Sequence, residues 1–206
     1  MQQDTMIPTA PAPGFADAVQ QSQLAFRALL DAMARPGRVA AMPGDIGNPA
    51  GMAPALAAAA LTLCDLDTPV WLGPGLDTDA VRGWLRFHTG APLAATAEAA
   101  DFALLDAAAG LPALDVFSLG SDAAPDRGAT LLVQVATLAG ETAMTWRGPG
   151  IKDAVTMPVC GLPAEVWRAR AALSAEFPRG LDLYLCAGSS VIGLPRSTAI
   201  SFTTEA

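Results

Sequence analysis

Residues 141–198 constrain this chain more than any other stretch, because their alternation of pattern and punctuation admits few arrangements. Thr142-Ala143-Met144-Thr145-Trp146-Arg147 alternates polar and apolar residues, as a half-buried strand requires. Gly148-Pro149-Gly150-Ile151 stops it, since proline fixes φ and glycine reaches positive φ without a clash. A helix is expected over 163–176, with Pro163 tolerated at its start. Phe177-Pro178-Arg179-Gly180 turns the chain into a strand over 181–186, and a further strand over 191–194 closes on Pro195-Arg196-Ser197-Thr198. Each sharp turn carries a cation: Arg147 and Lys152, then Arg179, then Arg196. Gly148, Gly150 and Gly180 are the turn glycines.

The rest of the chain supplies what this stretch packs against. Residues 1–14 hold Pro8, Pro11, Pro13 and Gly14 and few large apolar groups, which predicts a flexible or partner-ordered arm. In the helix that follows, Phe15, Val19, Phe26, Leu29, Leu30 and Met33 fall on one face at three- and four-residue spacing and are expected to meet the core. Arg35-Pro36-Gly37 ends it. A short strand over 38–42 and an alanine-rich helix over 53–63 come next, then a strand over 70–72. Thr78 is placed to cap a helix whose face carries Val81, Trp84, Leu85 and His88. Residues 102–105 and 130–135 read as strands, the second turning back through Ala139-Gly140 into 142–147 as an antiparallel hairpin. The expectation is one α/β domain over 15–206, a three-layer α/β/α arrangement with a mixed sheet and helices on both faces.

Charge and chemistry narrow the function. The chain carries 12 basic and 20 acidic residues, a net charge of −8, with no run of basic residues, so nucleic acid is an unfavourable partner. The 3 cysteines, Cys64, Cys160 and Cys186, are scattered and form no C-x-x-C pair, which predicts reduced cytosolic thiols and no iron–sulfur or structural metal site. No signal peptide precedes the helix, and the greasiest stretch, 51–66, is too short and interrupted to span a membrane. A single histidine, His88, has no patterned partner and suits a helix C-terminus. No residues supply nucleophile, base and orienter together.

Two readings stand for the cationic turns. Arg147, Lys152, Arg179 and Arg196 converge on an anionic ligand or a partner's acidic groups, or they are separate solvated cations with neighbours such as Asp153 and Asp182. The first reading predicts that Arg196→Ala weakens complex formation and leaves thermal stability nearly unchanged. Gly148-Pro149-Gly150-Ile151-Lys152 is similarly open between a phosphate cradle and a plain tight turn, and it matches no Walker A spacing.

Several blocks carry a family resemblance in order along the chain. Phe26-Arg27-Ala28-Leu29-Leu30-Asp31-Ala32-Met33-Ala34-Arg35-Pro36-Gly37 resembles the N-terminal signature of the H subunit of the carbon–phosphorus lyase core complex, the PhnH family. Asp67-Thr68-Pro69-Val70-Trp71-Leu72, Gly128-Ala129-Thr130-Leu131, Gly148-Pro149-Gly150-Ile151, Phe177-Pro178-Arg179-Gly180-Leu181-Asp182 and Leu194-Pro195-Arg196-Ser197-Thr198 continue it. Ser197 departs from the threonine expected there. The resemblance implies an accessory, non-catalytic subunit of a cytoplasmic complex, inactive in isolation. With the G, I and J subunits it would form ribose 1-phosphonate triphosphate from alkylphosphonate and ATP, a separate radical iron–sulfur component breaking the carbon–phosphorus bond. It also implies a fold similar to the large domain of pyridoxal-phosphate transferases, a homodimer, and no bound cofactor. The alternatives are a pyridoxal-phosphate enzyme using Lys152, the only lysine, or a stand-alone phosphonate- or nucleotide-binding protein.

Overall fold

A computed structural model describes residues 10–158 and 160–202. Two short strands, β1 (Gly14–Phe15) and β3 (Ile46–Gly47), pair antiparallel, and between them come helix α1 (Ala18–Ala34) and strand β2 (Ala40–Ala41). The chain continues through α2 (Pro54–Leu63), β4 (Val70–Leu72), α3 (Asp79–His88), β5 (Phe102–Asp106) and β6 (Thr130–Gln134). The later part holds β7 (Thr142–Arg147), β8 (Val155–Pro158), α4 (Ala164–Ala172), β9 (Asp182–Ala187), β10 (Ser190–Leu194) and β11 (Ala199–Phe202).

The central sheet has 6 strands in the order β2-β10-β9-β6-β5-β4. Strands β4, β5, β6 and β9 run parallel, β10 runs antiparallel to β9, and β2 runs antiparallel to β10, so the sheet is mixed. Side chains alternate across it. Leu104, Leu132, Tyr184, Cys186 and Val191 face one core, and Ala103, Leu105, Leu131, Val133, Leu183 and Leu185 face the other. The pleat therefore divides the apolar residues between two layers, as a period of two demands.

On the first face lie α1, α2 and α3. The α2 helix is buried along Ala55–Ala60, with Pro54 in its first turn, where a missing N–H costs nothing. Its small side chains let it sit close to the sheet. In α3, Thr78 Oγ1 accepts from the Val81 N–H at 3.2 Å, as the sequence predicts, and Val81, Trp84 and Leu85 are buried. His88 at its end donates from Nε2 to the Ala12 carbonyl at 2.8 Å, so the backbone is tied down from Ala12 onward. Residues 1–9 of the expected arm lie outside the described residues.

Helix α1 corrects the expectation made for it. Its buried residues are Ala25, Leu29 and Ala32, whereas Val19, Phe26 and Leu30 are 81%, 51% and 59% exposed. The reason is proximity. A Cβ built on Gly193 of β10 would stand 2.6 Å from the Ala32 carbonyl carbon and oxygen, so helix and strand touch through their backbones. Only small residues fit such a contact, and the larger apolar stripe is turned outward. Tyr184 fixes the approach by donating its hydroxyl to the Leu29 carbonyl at 3.2 Å.

The second face departs from the expected layer of helices. It is covered by a separate 3-stranded antiparallel sheet, β11-β7-β8, together with α4. Met144, Trp146, Met157 and Trp167 pack from these elements onto Leu131, Leu183, Ile192 and Leu194. The hairpin expected between β6 and β7 does not form: β6 lies inside the six-stranded sheet between β5 and β9, and β7 pairs with β8 and β11. The 130–135 segment is apolar on both sides, which suits a central parallel strand, while 142–147 alternates and suits a half-covered sheet. Strands β8 and β11 were not expected from sequence at all. Among the described residues no helix is long and apolar enough to cross a membrane.

Candidate functional site

Pairing register gathers the late turns at one end of the central sheet. Val70, Phe102, Thr130 and Asp182 stand side by side at the N-terminal ends of β4, β5, β6 and β9, and Leu194 opposite Leu183 brings β10 to the same edge. The turn Pro195-Arg196-Ser197-Thr198 thus emerges next to Asp182. The Arg196 backbone N–H donates to Asp182 Oδ1 at 2.7 Å, and its Nε and Nη2 donate to Oδ2 at 2.9 and 2.6 Å. Its Nη1 donates to the Pro125 carbonyl. With the two side chains 15% and 23% exposed, this is a largely buried, bidentate ion pair.

A second guanidinium lies beneath it. Arg170 of α4 is 1% exposed and donates from Nη2 to the Pro195 carbonyl at 2.6 Å. Burial pushes its pKa down to about 10; Asp182 opposes that fall and the like charge of Arg196 adds to it. Asp182 thus binds one guanidinium directly, that of Arg196, and acts on the second through its charge. Arg170 Nε and Thr198 Oγ1 are buried without a hydrogen-bond partner among the described residues, so the cluster is polar, tight and incompletely satisfied.

The structure places the four sequence-predicted cations at this end but does not aim them at one point. Arg179 pairs with Glu176 and stands 3.4 Å from Asp122, and it shares the 119–128 loop with Arg196. Arg147, at the end of β7 opposite Ala199, and Lys152 are exposed, and among the described residues neither makes an ion pair. The glycines explain how the turns fit together. Gly150 has φ +83° and its backbone presses on the Ala34 carbonyl at the end of α1, leaving no space for a Cβ. Gly148 abuts Ser197 and Thr198, while Gly180 abuts the Arg196 side chain and donates its N–H to the Leu119 carbonyl at 2.9 Å. Close packing of turn against turn accounts for these glycines without a bound phosphate.

A cavity of about 780 Å³ is lined by Glu98 and Asp115 with Thr96 and Ser118, a set that repels a phosphonate. An apolar groove of about 450 Å³ runs between α4 and residues 111–115. None of the four cations lines either. Among the described residues no group of three or more His, Cys, Asp or Glu could hold a metal. Cys64, Cys160 and Cys186 are all free and buried, and burial pushes their thiols up to about 12, 11 and 12, with Asp65 contributing at Cys64. Sequence reasoning missed Arg170, although its place one turn from Trp167 on the buried side of α4 was a signal. It also named Asp182 only as one possible neighbour, not as the anchor of the turn.

Comparison with known proteins shows the family to which this α/β body with its cluster of packed turns belongs. The family model described as bacterial phosphonate metabolism protein (PhnH) matches residues 13–201. The chain is 42% identical over 189 residues to the "Alpha-D-ribose 1-methylphosphonate 5-triphosphate synthase subunit PhnH" of Rhizobium meliloti (strain 1021), covering 90% of this chain and 93% of that protein. It is 33% identical over 181 residues to the "Putative C-P lyase subunit protein HtxG" of Stutzerimonas stutzeri, covering 88% and 86%. The chain belongs to the PhnH family of phosphonate metabolism proteins. The resemblance drawn from the ordered motifs is thereby confirmed.

Proposed function

We propose that this chain is an accessory subunit of a carbon–phosphorus lyase complex in the catabolism of organophosphonates. It works in the cytoplasm with the G, I and J subunits to form ribose 1-phosphonate triphosphate from alkylphosphonate and ATP. The observation that carries this reading is the match to the two subunits named above over nearly the whole chain. The parallel strands with antiparallel neighbours support a fold like the large domain of pyridoxal-phosphate transferases, and the isolated chain is read as a homodimer. Exposed and without an ion pair among the described residues, Arg147 and Lys152 are the predicted cations best placed to meet an acidic group of a partner. The exposure of Lys152 favours this reading over Schiff-base chemistry, which needs a lysine held in a pocket. The test is reconstitution: the remaining subunits are assayed for triphosphate product from methylphosphonate and ATP, with and without this chain. Product only when it is present supports the reading, and full activity without it refutes the reading.

A further inference from the structure

The outward face of α1 is the least explained surface of the protein. Val19, Gln23, Phe26, Leu30 and Met33 recur at spacings of four, three, four and three, the heptad rhythm of a seam that takes a second helix. A surface helix with one buried stripe needs no second apolar stripe, yet α1 has both, about a third of a turn apart. Of the second stripe Val19, Phe26 and Leu30 are exposed, while Met33 at its end is partly buried against the core. One polar residue, Gln23, interrupts it, as register-setting positions in helix pairs do. One charge flanks it: Arg27, exposed and without an ion pair among the described residues.

That lone cation decides between occupants. A second copy of this face brings no free carboxylate to Arg27, because Asp31 is already held by Arg35 and Arg38, and Asp17 caps its own helix through the Gln20 N–H at 3.0 Å. A different helix with an acid beside its apolar stripe completes both the seam and the charge. We propose that the outer face of α1 docks an apolar helix of a partner subunit, with an Asp or Glu of that helix set against Arg27. This rests on reading the chain as a complex subunit, and it names the surface that the complex uses. In the helix-in-groove manner the apolar anchors supply affinity and the charge supplies register.

The experiment uses the full tagged chain co-expressed with the other subunits of the lyase complex. The readout is the amount of each subunit retained on the tag, with the melting temperature of the chain alone as control. Phe26→Ser combined with Leu30→Glu is expected to cut retention by roughly 30-fold, as loss of central anchors does. The melting temperature should stay unchanged, because these side chains are not in the core. Arg27→Glu is expected to give a smaller loss that added salt mimics in the wild type. Retention that ignores the double substitution, while the wild type holds its partners, overturns the seam alone. A wild-type chain that retains no subunit overturns the complex reading and the seam with it. Loss of self-association with partner retention intact assigns the face to a second copy and overturns the proposed occupant.

Discussion

The turn cluster around Asp182 and the outer face of α1 exchange the parts that their sequences suggest. Arginines at exposed-looking turns are expected to reach outward, yet Arg196 is folded in on the Asp182 carboxylate, above the buried Arg170 of α4. An apolar helical stripe is expected to face the core, yet Val19, Phe26 and Leu30 face solvent. The difference teaches that burial here follows backbone proximity more than side-chain polarity. Where α1 touches β10 at Gly193, only small residues fit. Where turns stack on one another, a charged fork that can satisfy carbonyls and a carboxylate is the better filler.

The strongest way to break this comparison is to remove the Asp182 carboxylate. Asp182→Ala leaves the largely buried Arg196 without its ion-pair partner and takes away the charge that favours the buried Arg170, and is expected to cost about 3–5 kcal/mol of stability, the scale of a broken buried ion pair. A urea titration that finds no shift would return these arginines to the solvated class. Arg196→Ala is expected to lose about 2–3 kcal/mol, since it deletes charge-assisted bonds to Asp182 and a bond to Pro125. The sequence reading instead expects Arg196→Ala to be nearly neutral for stability, and a melting curve separates the two.

Next in size is a test of backbone contact. Gly193→Ala puts a methyl group into the space held by the Ala32 carbonyl and is expected to cost roughly 1–3 kcal/mol through displaced packing of α1. A neutral result would mean that α1 does not sit on the strand. The buried thiols give a smaller, pH-dependent effect. In the unfolded chain each releases its proton near the ordinary 9.0, but in the fold Cys64 and Cys186 hold it to about 12 and Cys160 to about 11. The folded state binds more protons in that window, so stability is intact below pH 9 and falls as pH rises through it. At pH 10 the loss is on the order of 1 kcal/mol per thiol, and urea midpoints at pH 8 and 10 measure it, with Cys186→Ala removing one share. Least of all, Lys152→Ala and Arg147→Ala are expected to shift stability by no more than about 0.5 kcal/mol, so any loss of complex assembly in those variants reads their outward role directly.

How far the chain could be read without coordinates depends on the range of the forces at work. Local signals carried well: Thr78 caps α3, Pro163 stands at the start of α4, and β4, β5, β6, β9 and β10 lie within a residue or two of where their patterns put them. Which strands pair did not follow, because β6 and β7 are joined by a short turn yet belong to different sheets. Adjacency in sequence favours a hairpin, and only the apolar character of β6 on both faces argued for a central place. At the site, the turn glycines and cations were found from punctuation, but their direction was not. Arg196 is turned inward by Asp182 and by Pro125, a residue 71 positions earlier, which no local pattern reveals.

Amide hydrogen exchange of the chain alone and within the assembled complex tests the central claim most directly, because it reports both regions at once. The account predicts that assembly adds protection along α1 from Val19 to Met33 and leaves the Asp182–Arg196 turns as protected as they already are in the free chain. Added protection confined to the 179–198 turns, with α1 exchanging as before, would contradict it.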